Sequence, residues 1–326
     1  DAPRAATQKF DRSIVEGPIV PAVWKLAWPT MVQNVIAGLQ GIIDQAMVGH
    51  YVGFIGNAAV GASLQIFILV IVFVASVSTG MGVLVARFAG AGEPEKVNRV
   101  VYQALLVSIF LFLGILAPIG YVAAPTLLTL INAAPEVQAE AVPFIRIMFA
   151  SSIGLLLFFM FGSALRAAGD SKTPMRLGIL VTALNILLNV LLIPIFGTPG
   201  AAIGTAIANL TVAVIFIRLI FSNRLVIQFS RSMSFRPDWA VIRSLFRFGL
   251  PAGFQGIVMN LGGVLMLRFI GSLPESAEAQ AVYAVGYTEL FSLVTWTSVG
   301  LMGAAAAVAG QNLGAGHPQR SADGVR

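Results

Sequence analysis

The sequence predicts an all-α, polytopic membrane protein of about eight transmembrane helices, and three observations carry that prediction. Hydrophobic residues make up 57% of the 326-residue chain and charged residues only 10%, whereas soluble domains run near a quarter charged. A soluble fold of this length has too little interior to hide so much apolar side chain. The apolar residues also gather into eight runs of the length, about 20 residues, that a bilayer crossing requires. Finally, the basic residues fall in the connectors between those runs and favour alternate ones, which is the pattern of membrane topology.

In chain order, residues 1–20 read as a cytoplasmic N-terminal tail, because Asp1 to Gly17 is polar and lacks the apolar core of a signal peptide. Spans follow at 21–48, 57–86, 97–123, 137–165, 174–196 and 201–221, forming a six-helix N-lobe over 21–221. The longest connector, 222–240, carries Arg224, Arg231 and Arg236 and reads as a cytoplasmic inter-lobe linker. Runs at 241–270 and 281–309 are the first two helices of a partial C-lobe over 241–326. Placing the N-terminus inside puts 18 of the 20 Lys and Arg residues on the cytoplasmic side; only Arg146 and Arg268 fall outside, where Glu136, Glu140, Glu275 and Glu278 also lie. That asymmetry predicts a multi-pass protein of the cell inner (plasma) membrane with both ends of the chain cytoplasmic. The net charge of +6 is therefore a topology signal, and no nucleic acid partner is expected.

A weak internal repeat runs through the chain. Displacement by 222 residues lays Pro29 on Pro251, Gln33 on Gln255, Gly41 on Gly263 and Gly49 on Gly271. Displacement by 224 lays Gly90, Ala91, Gly92 and Pro94 on Gly314, Ala315, Gly316 and Pro318. Six helices separate the copies, so both have the same orientation and are related by an axis along the membrane normal. The second copy holds only two helices, which leads us to expect a longer architecture of which this chain carries the first part.

Ionisable groups inside spans mark candidate sites, since Asp at a helix centre costs about 2.5 to 3.5 kcal/mol on insertion scales. Asp44, in the run Gly41-Ile42-Ile43-Asp44-Gln45, is the clearest; the alternative is a carboxylate hydrated at the outer interface. Asn185 and Asn189 stand four residues apart on one face of the fifth span. At 1.5 Å per residue Asn189 lies roughly 22 Å above the inner end at Pro174, and Asp44 roughly 28 Å above Lys25 before any kink at Pro29. Thr205 begins the sixth span at a similar depth. The four residues could take up a proton or a small hard cation through oxygen ligands; as an alternative, the amides and hydroxyl are interhelical glue. Glu289 is a second buried acid, and with Gln33 and Gln255 it is a candidate substrate or second-lobe contact. Pro29 and Pro251 are candidate conformational hinges near the inner ends of equivalent helices.

Several chemistries are absent from the sequence. Cysteine is missing altogether, which removes disulfides, thiolate metal sites and a cysteine nucleophile. There is no G-x-x-x-x-G-K-[ST] for ATP phosphates and no H-E-x-x-H, and no serine sits beside a membrane histidine. The chain is not expected to be an enzyme, no cofactor or metal site is expected, and any work it performs would draw on an ion gradient.

The turn Leu165-Arg166-Ala167-Ala168-Gly169-Asp170-Ser171-Lys172-Thr173-Pro174 reads physically as a helix end, a Gly-Asp turn, Thr173 as N-cap and Pro174 at the first helical position. It also resembles the L-R-G-x-G-D-[ST]-K-T-P run of the multidrug and toxic compound extrusion (MATE) family. Lys25-Leu26-Ala27-Trp28-Pro29, Ile43-Asp44-Gln45-Ala46-Met47-Val48-Gly49 and Gly310-Gln311-Asn312-Leu313-Gly314-Ala315-Gly316 resemble, in order, three further runs of that family. The resemblance implies a twelve-helix antiporter of two six-helix lobes, exporting organic cations or amphipathic compounds in exchange for H⁺ or Na⁺; the partners expected are that small-molecule substrate and the lipid bilayer, with the protein monomeric. Asp44 falls on the family's first-helix acid and Pro29 on its bending proline. Asn189 departs from the many members with Asp there, which favours H⁺ over Na⁺. A lipid-linked saccharide flippase of the same superfamily is an alternative, disfavoured by the absence of cationic residues in mid-span. A non-transporting membrane scaffold or inactive fragment is another.

Overall fold

The computed structural model describes residues 10–131, 133–222, 224–229, 236–271 and 291–325. Among them there are helices and no strands. A short α1 (Ser13–Glu16) precedes α2 (Ile19–Tyr51), α3 (Phe54–Gly90) and α4 (Pro94–Leu130). Then come α5 (Pro135–Ser151), α6 (Ile153–Ala167), α7 (Lys172–Phe196) and α8 (Thr198–Phe221). The chain closes with α9 (Trp239–Gly271), α10 (Phe291–Gly314) and the short α11 (Pro318–Asp323). The expected eighth span, 281–309, lies partly outside the described residues, and its helix runs on to Gly314.

Among the described residues, α3, α4, α7 and α8 are long and apolar enough to cross a membrane on composition alone, and the α5–α6 pair makes a fifth such crossing. α2 and α9 are each 33 residues long but carry the polar groups, Gln33, Gln40 and Asp44 in one and Arg243, Arg247 and Gln255 in the other, that lower their hydropathy. Large apolar side chains such as Phe110, Ile119, Val122, Leu191 and Ile195 stand exposed around the bundle. A water-soluble monomer rarely presents so much apolar surface, and a bilayer covers it.

Local sequence explains the departures from straight helices. α4 widens into a π turn at Phe112–Leu116, just before Pro118, whose missing N–H cannot serve the carbonyl of Gly114. The fourth expected span is one crossing bent by 50° between α5 and α6. Its corner is Ser152, whose hydroxyl donates to the carbonyls of Met148 and Phe149, a back-bonding that bends helices. At the turn before α7 the expected cap is corrected. The helix begins at Lys172, and Asp170, not Thr173, supplies the cap: it accepts the Thr173 amide at 3.0 Å and the Thr173 hydroxyl at 2.6 Å. Because the helix starts at Lys172, Thr173 and Pro174 are its second and third residues and not its cap and first residue, so Thr173 is a donor to the capping carboxylate.

α3 is the centre of the bundle. Phe67, Val70, Val74, Val77, Met81 and Leu84 are buried along it at the spacing of one helical stripe. It packs on α4, α5 and α6, and also on α9 and α10. The repeat seen in the sequence reappears as reciprocal contacts. A Cβ on Gly90 would stand 1.8 Å from the carbonyl oxygen of Gln311, and a Cβ on Gly314 would stand 1.9 Å from that of Arg87. Displacement by 224 exchanges the two pairs. Likewise Gly300 lies against Met31, and Gly253 against Ser76. The two copies therefore interlock about an approximate two-fold axis at the basic end of the bundle.

The segments before α2 and α9 are docked on the same end. Ile14 is fully buried, and the Asn312 amide and the Arg320 guanidinium donate to the carbonyls of Ile14 and Gly17. Lys25 pairs with Asp11. Burial works against the Asp11 carboxylate, but hydrogen bonds from Lys25 and Ser13 outweigh it and hold its pKa below the ordinary value. Between α8 and α9, Leu225, Ile227 and Phe229 are buried. There Gln103 binds the Arg236 carbonyl and the Asp238 amide, and Arg99 pairs with Asp238 at 2.6 Å.

Candidate functional site

Gln33, Gln40 and Asp44 recur along α2 at intervals of seven and four, which places them on one helix face. That face meets α7, whose Thr182, Asn185 and Asn189 form a stripe of their own. Side by side, the two helices build a ladder of polar contacts inside an otherwise apolar bundle. The Thr182 hydroxyl donates to Gln40 Oε1 at 2.8 Å, and Asn189 Nδ2 donates to Asp44 Oδ1 at 2.8 Å. Gln40 also hydrogen-bonds Asp44. Asn185 and Asn189 are fully buried.

Asn185 connects the ladder to α8, and its amide has two meaningful orientations. In one, Nδ2 donates to Thr205 Oγ1 at 2.9 Å and Oδ1 accepts from Asn189 at 3.3 Å. Turned over, the amide nitrogen lies 3.0 Å and 3.2 Å from the two carboxylate oxygens of Asp44, and the Thr205 hydroxyl donates to the amide oxygen at 2.9 Å. In the first orientation an oxygen faces the carboxylate, which suits a protonated Asp44 donating its O–H. In the second a donor faces it, which suits a charged Asp44. The hydroxyl of Thr205 serves either way, as acceptor or donor.

One acceptor in the cluster is left over. Asn189 Oδ1 is buried without a hydrogen-bond partner among the described residues and rests where a Cβ on Gly204 would come within 2.0 Å. Together with the Asp44 carboxylate and the Thr205 hydroxyl it offers oxygen ligands of the kind that hard cations take.

The structure thus brings Asp44, Asn185, Asn189 and Thr205 together. Gln33 lies lower on the same face of α2, beside Arg166 Nη1 at 3.5 Å. Gln255 is exposed on α9, away from the cluster, and Glu289 lies outside the described residues. α2 and α9 continue as helices through Pro29, which is buried, and Pro251, which is exposed. Gln40 and Thr182 are the participants that sequence reasoning missed. The signal was present in Gln40-x-x-x-Asp44, an i, i+4 pair, but a glutamine is a weaker marker than a carboxylate.

The family model described as MatE matches residues 29–191 and 251–325. A protein of Thermotoga maritima named probable multidrug resistance protein NorM is 30% identical over 274 residues, covering 80% of this chain and 56% of that protein. The Bacillus subtilis probable multidrug resistance protein YoeA is 27% identical over 318 residues, covering 94% of this chain and 68% of its own. Among solved structures, a transporter of the MOP superfamily from Pyrococcus furiosus superposes with a TM-score of 0.88 at 22% identity, over 96% of this chain and 69% of that one. A structure described as MATE in the bent conformation superposes with a TM-score of 0.86 at 23% identity, over 97% and 70%. The chain therefore spans little more than half the length of the Thermotoga relative and about two thirds of the others.

Proposed function

The chain belongs to the MatE family, and from that premise we propose that it is a secondary active antiporter that exports cationic or amphipathic organic compounds in exchange for H⁺, with Na⁺ as the alternative coupling ion. The names of its relatives, multidrug resistance and multidrug export proteins, support export as the activity, and the proteins of this family are transporters, not enzymes. The observation that carries the coupling is the half-buried carboxylate of Asp44, held by Asn189 and Gln40 where α2 meets α7.

In this reading α2 to α8 form the first lobe, and α9 and α10 belong to the second. A charged Asp44 attracts a substrate cation and draws the amides of α7 toward α2. Protonation removes the charge, reverses the demand on the Asn185 amide and releases the cation. A proton and a substrate thereby compete for one group, and each favours a different hydrogen-bond pattern among α2, α7 and α8. Such a differential preference is what a population shift between two helix arrangements requires. Pro29 supplies the bend through which α2 would move, since it interrupts the backbone ladder. The basic end faces the cytoplasm by the distribution of Lys and Arg.

Vesicles containing the full-length protein test the proposal. A pH gradient is expected to drive accumulation of a fluorescent organic cation, and a Na⁺ gradient to drive little. No accumulation under either gradient overturns the reading in favour of a non-transporting scaffold. In the same assay Asn189→Asp, which places a second carboxylate beside Asp44, is expected to make uptake respond to Na⁺. A variant that transports but ignores Na⁺ would count against the Asp44 cluster as an ion site.

A further inference from the structure

A second charged group lies inside the bundle, and the polar cluster does not use it. Arg166 stands in the last turn of α6, where a long basic side chain ordinarily runs outward to water. Instead it folds back along its own helix. A Cβ on Gly162, one turn earlier, would meet Nη1 at 3.2 Å and Nη2 at 3.7 Å, with Pro174 of α7 also 3.7 Å away. Its single hydrogen-bond partner among the described residues is Gln33 Oε1 of α2, at 3.5 Å. Gln33 in turn occupies the space above Gly178 of α7, where a Cβ would come within 2.9 Å of its Cγ. Three helices thus contribute to one cradle, with Gly162 and Gly178 as the floor that any larger residue would fill.

None of the ion pairs among the described residues includes Arg166. A guanidinium carries five N–H donors and no acceptor, and one long contact to an amide leaves most of them unused. Arg166 is only partly exposed, a setting in which a guanidinium gains from a counter-anion, and its planar fork matches the two oxygens of a carboxylate or phosphate. We propose that Arg166 and Gln33, seated on Gly162 and Gly178, form an oxyanion subsite that takes the carboxylate of an amphipathic substrate or the phosphate of a lipid.

The substrate form of this proposal rests on the transport reading above and extends it. Gln33 and Asp44 are eleven residues apart on one face of α2, roughly 16 Å at 1.5 Å per residue. An elongated amphiphile with an amine at one end and a carboxylate at the other matches both ends of that face, whereas a simple cation meets Asp44 alone.

The test is equilibrium binding to the full-length protein in phosphatidylcholine nanodiscs, with no ion gradient, so that failure here leaves gradient-driven transport at Asp44 untouched. The probes are rhodamine B, which carries a free carboxylate, and its ethyl ester, which does not. Arg166→Gln is expected to weaken rhodamine B by at least about tenfold and to change the ester by no more than about twofold, with Arg166→Lys in between. If the oxyanion is a lipid phosphate, phosphatidylglycerol will copurify with the unaltered protein, will be lost from Arg166→Gln, and will compete with rhodamine B only when Arg166 is present. Equal losses for both dyes, or no loss for either together with unchanged lipid retention, overturn the subsite. Should Arg166→Gln not purify as a single species, Gln33→Leu and Arg166→Lys carry the same comparison.

Discussion

Replacing Asp44 with Asn is expected to abolish efflux while leaving the protein folded and in the membrane. Asn is nearly isosteric, and its amide can still accept the hydrogen bond that Asn189 donates to Asp44, so the packing of α2 on α7 persists. What disappears is the charge. Opposite charges 4 Å apart attract by about 4 kcal/mol at an effective dielectric constant of 20; after allowance for desolvation, a loss of at least about 100-fold in transport remains. Asp44→Glu retains a titratable group at a displaced position and is expected to keep a part of the activity. The check is efflux of a fluorescent cation from cells, normalised to the amount of protein in the membrane. Unchanged efflux by Asp44→Asn would remove the residue from the mechanism.

The second large effect is expected at the interlock of the two copies. Gly90 and Gly314 sit where a methyl group would strike backbone, the carbonyls of Gln311 and Arg87 respectively. Backbone cannot rotate away as a side chain can, so each alanine must push α3 and α10 apart, at a cost of about 1 to 3 kcal/mol typical of overpacking. The Gly90→Ala, Gly314→Ala double variant should open the basic end and reduce transport by about tenfold or more, the equivalent of 1.4 kcal/mol. Because the chain has no cysteine, spin labels can be placed uniquely at Glu95→Cys and Ala322→Cys, both exposed. The distance distribution between them is expected to move to longer values in the double variant. An unaltered distribution would show that the contact is not needed for closure.

Much of this protein was legible without its tertiary structure. The helical class follows from hydropathy, and most span boundaries lie within a few residues of the helices observed. The polar cluster was anticipated from the depths of Asp44, Asn185, Asn189 and Thr205. The partners of Asp44 were only partly legible, because spacing along α2 says which residues share a face and not what that face meets. Gln40 was passed over on those grounds. The cap at Asp170 was misplaced by three residues for a related reason: several residues of the turn are able to cap, and the path of the chain selects among them.

Arg166 shows the limit most clearly. Its position at a helix end and in a basic turn made it a topology marker, and the sequence held no cation in mid-span. Only the packed structure folds its side chain back along its helix, because Gly162 leaves room there and Gln33, seated over Gly178 of α7, meets it. Hydropathy and repeat spacing are properties of the chain taken residue by residue, so class and spans could be read from them. Which side chains share a low-dielectric interior depends on how helices distant in sequence settle against one another. The Asp44 cluster, the glycine interlock and the folded-back guanidinium were decided at that level.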